Sequence, residues 1–131
     1  MAWKRYNSNP TYQSRGDCVI RAISKVLNFS WDQTYIELCI QGFLIKDWGN
    51  SNNVWDAYLR GKGFTRKVIP NTCPDCYTIG DFTIDNPKGL FVLGTGEHVV
   101  AIKDGDIYDT WDSSDLVPLS VFYKDVKPKE E

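Results

Sequence analysis

The spacing of apolar residues changes along this chain, and each change marks a new kind of element. Val19, Ile20, Ala22, Ile23, Val26 and Leu27 recur at the 3.6-residue period of a half-buried helix. Asp17 stands just ahead of them in N-cap position, so the pattern predicts a helix opening at Cys18. Ser30-Trp31-Asp32-Gln33 reads as a capping box for a second helix, with Tyr35, Ile36, Leu38 and Cys39 on its apolar face. NVWDAYLR, residues 53–60, predicts a short third helix ended by Gly61 and Gly63. Beyond it the period shortens. Phe64 to Ile69 predicts a strand, Ile79 to Phe82 a single helical turn, and Gly89 to Leu93 a short apolar strand.

The strongest local signal follows. Asp104-Gly105 is a two-residue hairpin turn, because both positions favour positive φ. That turn sets Ile102 opposite Ile107, Val100 opposite Asp109, and His98 opposite Trp111. Alternation then puts His98, Val100, Ile102, Ile107, Asp109 and Trp111 on one face, with Asp109 diagonal to His98 and within side-chain reach. Helices first and strands afterwards predict an α+β domain of two layers, N-terminal helices packed on a C-terminal antiparallel β-sheet. One domain is expected over 1–131, with about 1–8 and 125–131 as flexible tails.

The 131-residue length suffices for a core without metal or disulfide support. Lys and Arg number 15 against 17 Asp and Glu, which excludes the broad positive field of a nucleic-acid binder. The basic, aromatic WKRY at 3–6 reads as a tethering strand or plain surface. No apolar run approaches the ~20 residues of a spanning helix, and MAWKRYNSNP lacks the apolar core of a signal peptide. The expectation is a cytoplasmic protein with reduced thiols and no membrane partner. Neither a cofactor nor a metal is expected, and the pattern fixes no oligomeric state. Trp31, Trp48 and Trp55 read as packing residues.

Cys73 and Cys76 form CPDC, whose plainest reading is a Pro-Asp turn with two half-buried thiols. A subunit-bridging metal or a labile disulfide is the alternative. A closed zinc site needs four ligands, and the remaining chain offers one His and two other cysteines.

Cys18 has a different setting. A helix N-terminus and a neighbouring imidazolium both favour thiolate, lowering a cysteine pKa from ~8.5 to as little as ~3.5. His98, the one histidine, is the candidate base. Asp109 is the candidate for orienting it, with Asp112 as the fallback. Gln13, five residues before Cys18, and the Cys18 backbone N–H are candidate oxyanion donors.

Gln13, then Gly16-Asp17-Cys18 at a helix start, then His98 heading a strand, then Asp109-Thr110-Trp111 on the return strand resemble the papain-like cysteine peptidases. The compact size and the Asp-Cys at the helix start are closest in character to their bacteriocin-processing, C39-like branch. The chain is also similar to small proteins of bacterial prophages. The resemblance implies a papain-like fold, a Cys18–His98–Asp109 triad, and Trp111 as the cover of the His–Asp contact. It departs from the family in a Gln-to-Cys spacing one residue short, and in Val19 where a small residue is usual. The function implied is a cysteine hydrolase, peptidase or amidase, acting on an amide or isopeptide bond of a peptide or protein substrate. Two other classes remain open: a catalytically inactive papain-like binding module, such as a phage protein acting on a host factor, and a thiol redox protein working through Cys73 and Cys76.

Overall fold

A computed structural model describes residues 2–11, 17–48 and 51–129. Helix α1 spans Cys18–Leu27 and closes at Asn28, whose φ of 57° is the left-handed conformation that ends a helix. Helix α2 spans Trp31–Ile45, with the Ser30 side chain accepting from the Gln33 N–H. The reciprocal half of the expected box is not made, since Gln33 Nε2 donates to Glu37 instead. Helix α3 covers Asn52–Gly61, capped by Ser51. The predicted single turn is longer: α4 runs Ile79–Asp85 behind a complete Thr78–Asp81 capping box.

Six strands form one mixed sheet: β1 Ala2–Arg5, β2 Thr65–Val68, β3 Leu90–Gly94, β4 Val99–Lys103, β5 Asp106–Asp109 and β6 Ser120–Tyr123, in the order β1-β5-β4-β3-β6-β2. The β4–β5 hairpin has the expected register, Ile102 against Ile107 and Ala101 against Tyr108. Its turn residues take φ of 49° at Asp104 and 80° at Gly105, as such a turn requires.

The expected sheet was antiparallel throughout. That needs correction at one edge, where β1 runs parallel to β5. Residues 1–8, expected as a tail, therefore supply a strand, and Tyr6 N–H donates to the Asp109 carbonyl at 2.8 Å. Near the other end, Lys129 N–H donates to Asn86 Oδ1 at 2.6 Å and Asn86 Nδ2 donates to the Lys129 carbonyl at 2.9 Å, within the segment expected as the second tail.

Both faces of the sheet are covered, so the two-layer expectation becomes three. Val92, Val99, Ala101 and Phe122 pack under α1 and α3 with Ile23, Val26 and Leu59. The alternate residues Phe91, Val100, Ile102, Ile107 and Val121 point the other way, onto Ile79 and Phe82 of α4 and its flanking loops. Ile23 is 0% exposed, so truncating it to Ala should cost ~2–5 kcal/mol through lost burial and the cavity left behind.

Two expectations about packing are overturned. On α2, only Leu38 of the expected apolar face points inward; Tyr35, Ile36 and Cys39 are exposed, because α2 lies over α1 and α3 and not on the sheet. Trp48, expected to pack, is 82% exposed. Trp55 does pack, tilted against Phe122 at 5.1 Å between ring centroids.

Cys73 and Cys76 are joined by a disulfide, not held as two thiols. The expectation of reduced thiols therefore fails at this pair. Cys18 and Cys39 are free. Among the described residues no helix is long and apolar enough to cross a membrane.

Candidate active site

Cys18 is the first residue of α1, where the helix leaves its leading N–H groups without intrahelical partners. His98 sits one residue ahead of β4, at the end of the turn Thr95-Gly96-Glu97. Gly96 permits that turn through a φ of 101°. Thr95 closes it, its N–H donating to the His98 carbonyl at 2.9 Å while its Oγ1 accepts from the His98 N–H at 3.1 Å. Packing of α1 across β4 then brings the helix start against this turn. The Cys18 thiol and the His98 side chain thus line the same cleft beside Val99, near enough for His98 to act on the thiol's charge.

The opposite edge of the imidazole meets Asp109, the last residue of β5, with His98 Nε2 at 2.6 Å from Asp109 Oδ2. With Nε2 so engaged, Nδ1 is the nitrogen left for Cys18. Asp109 is 3% exposed and its lone pairs are well supplied. Ser113 Oγ donates to Oδ2 at 2.9 Å, Thr110 N–H to Oδ1 at 2.7 Å, and Arg21 Nη2 lies 3.8 Å from Oδ1. The Asp109 backbone is held as well, its carbonyl accepting from Trp3 Nε1 at 3.2 Å. Trp111 lies over the imidazole, 5.1 Å between ring centroids at 36°.

Asp112, the fallback, turns back into its own loop and accepts from Ser114 N–H at 3.0 Å. Gln13 lies outside the described residues.

Charge is arranged to match. Burial alone would push the Cys18 thiol up. The His98 hydrogen bond, the Val99 backbone, and the charges of His98 and Arg21 outweigh it, and the net shift is downward. Burial would likewise lower His98, but hydrogen bonds to Asp109 and Cys18, with their negative charges, raise it to about 9. Both shifts act in the direction of a thiolate–imidazolium pair.

Asp17, the residue before Cys18, does not cap the helix with its side chain as expected. Its carboxylate is 8% exposed and accepts from Trp31 Nε1 at 2.9 Å and Asn9 Nδ2 at 3.2 Å. It also forms an ion pair with Arg21 one turn along. Burial opposes its charge; those two hydrogen bonds and the guanidinium hold the carboxyl below the usual range. The negative charge next to the thiol is thereby compensated.

Arg21 and Ser113 were not singled out from the sequence. A signal existed for Arg21: it interrupts the apolar pattern of α1 four residues after Asp17, the spacing of an intrahelical ion pair. Ser113 carries no such signal.

Cys18 and His98 open on a cleft of about 430 Å³ whose walls include Trp55, Asn53, Arg66 and Glu97. Among the described residues no group of three or more His, Cys, Asp or Glu side chains is placed to hold a metal ion. No family model, curated protein or solved structure matches this chain.

Proposed function

We propose that the protein is a cysteine hydrolase with a papain-like site, acting on an amide or isopeptide bond of a peptide or protein chain. The observation that carries this reading is the alignment of Cys18, His98 and Asp109 at a cleft, with the thiol and imidazole shifted toward an ion pair. The resemblance of the residue order Gln13, Cys18, His98, Asp109 and Trp111 to the C39-like peptidases supports the class of reaction; the triad alone does not name the substrate within that class.

In this reading Cys18 Sγ attacks the carbonyl carbon and its π electrons move to oxygen. The Cys18 backbone N–H meets the developing oxyanion at the helix start, a role to which the resemblance would add Gln13. His98 Nδ1 gives its proton to the leaving amine, and the C–N bond breaks to leave an acyl-thioester. Neutral His98 then takes a proton from water, whose oxygen attacks the thioester and releases the acid and Cys18. Asp109 holds the imidazole through both halves, and Trp111 shields that contact from water.

The test is the rate of Cys18 alkylation by iodoacetamide against pH, followed by peptide mass, in wild type and His98→Ala. Labelling sustained well below pH ~8.5 in wild type and lost in the variant supports the proposal. Labelling that rises only near that value in both proteins would overturn it.

A further inference from the structure

We propose that Arg66 forms an anion subsite at the far end of the cleft, selecting substrates that carry a carboxylate about two or three residues from the bond Cys18 attacks. This subsite rests on the hydrolase reading and narrows its substrate. The cleft crosses the strands of the sheet. Val99 of β4, Gly94 of β3 and Ser120 of β6 line it as register partners, and Arg66 of β2 lines it on the next strand over. Arg66 pairs with Phe122, two residues along β6 from Ser120, so it stands on the same face of the sheet as the other three. Cys18 and His98 lie at the Val99 end. Three strand intervals of ~4.8 Å separate β4 from β2, roughly 14 Å in all. The long Arg66 side chain covers part of that span and leaves the length of about two or three extended residues. Gly94 keeps the middle of the path open, since a Cβ there would stand 3.2 Å from Ser120 Oγ and 3.6 Å from Trp55.

Charge separates the two ends. Among the described residues Arg66 is the one Lys or Arg that lines the cleft, and the exposed Glu97 stands next to His98 at the opposite end. Asp56, on α3, offsets Arg66 only in part. Its Oδ1 accepts from Arg60 Nε at 2.5 Å, whereas Arg66 Nε stays 3.8 Å from Oδ2, beyond hydrogen-bond distance. Two guanidiniums thus share one carboxylate. The Arg66 side chain is 38% exposed and keeps N–H donors for a further anion. A planar guanidinium takes a carboxylate through two parallel N–H···O bonds, which fixes the position of the bound chain as well as matching its charge. A chain terminus and an Asp or Glu side chain both present that group.

Affinity labels of graded length test this on the full chain. Iodoacetyl-oligoglycines of increasing length, ending in a free carboxylate or in an amide, alkylate Cys18 at rates read by peptide mass. A parallel series ends in Asp-amide or Asn-amide. The ratio of the carboxylate rate to the amide rate should peak at about two or three residues, reach at least ~10-fold there, and fall to near one in Arg66→Gln. Arg66→Lys should restore part of it. Lys103→Gln removes an exposed charge outside the cleft walls and should keep the wild-type ratio. Because each ratio is taken within one protein, a general change in Cys18 reactivity cancels. The ratios also separate the subsite from the reading beneath it. An ordinary iodoacetamide pH profile counts against the hydrolase, whereas a flat ratio on an activated thiol counts against the subsite alone. Preference in the first series assigns a chain terminus, and in the second an acidic side chain. A ratio that does not vary with length in either series would overturn the proposal. So would a length-dependent preference that survives Arg66→Gln or is lost in Lys103→Gln.

Discussion

Arg21 and Asp17 form a buried ion pair one turn apart at the start of α1, directly beneath the cysteine that opens the helix. Their side chains are 6% and 7% exposed, so neither charge has water as a substitute partner. The same guanidinium faces Asp109, which ties the helix that Cys18 opens to the carboxylate behind His98.

Removing that guanidinium should therefore be costly. Arg21→Ala leaves the buried Asp17 carboxylate without its counter-charge, and a loss of ~3–5 kcal/mol is expected by urea denaturation. Arg21→Lys should recover only part of it, because a single ammonium lacks the planar fork that spans both acids. Cys18 labelling at neutral pH should slow in both variants, since Arg21 is one of the charges that favours the thiolate.

Asp109 and Asp112 are separated by what they touch. Asp109→Ala frees the imidazole and should lower turnover of a peptide or amide substrate by at least ~10²-fold. Asp109→Asn keeps an acceptor for Nε2 and should lose much less. Asp112→Ala should stay within about twofold of wild type, because that carboxylate bonds its own loop. The reverse ranking would move the orienting role to Asp112.

The two shifted groups act in opposite senses on stability. His98, raised from 6.5 to about 9, contributes stability that is full below pH 6.5 and is lost as pH climbs through about 9. Cys18, lowered from 9.0, contributes stability that is full above pH 9.0 and is lost as pH falls through its folded value. Between these limits the contributions offset in wild type. In Cys18→Ser only the His98 share remains. Urea midpoints of the variant should therefore fall with rising pH from 6.5 to 9 more steeply than those of wild type, and parallel profiles would rule the coupling out.

Opening the Cys73–Cys76 disulfide should leave the site untouched. Cys73→Ser is expected to keep wild-type Cys18 alkylation kinetics, read by peptide mapping, because Cys73 and Cys76 lie on the loop leading to α4, away from the cleft walls. Loss of Cys18 reactivity in that variant would instead support redox chemistry through this pair.

Much of this arrangement was legible because it rests on local rules. The helix starting at Cys18 follows from apolar period, and the His98–Asp109 pairing from a turn whose two residues dictate register. Strand order was not legible. Four-residue strands such as β1 (AWKR) and β6 (SVFY) are too short for alternation to declare itself, and the parallel β1–β5 pairing joins segments about a hundred residues apart. The polar layer under the site escaped for a related reason: Ser113 becomes a partner of Asp109 only once the loop after β5 folds back. On α2 the sequence correctly marked apolar positions and misassigned the side they face, since an all-round apolar helix does not reveal which face its own chain covers.

The β1–β5 pairing also gives the protein a temporal order. During translation Cys18 leaves the ribosome well before residues 98 to 109, and the strand that clamps the Asp109 backbone is made earlier still. A nascent chain therefore presents Cys18 without its imidazole, its carboxylate or the sheet that aligns them. On the proposed reading, the thiol gains the partners that activate it only once synthesis has passed β5.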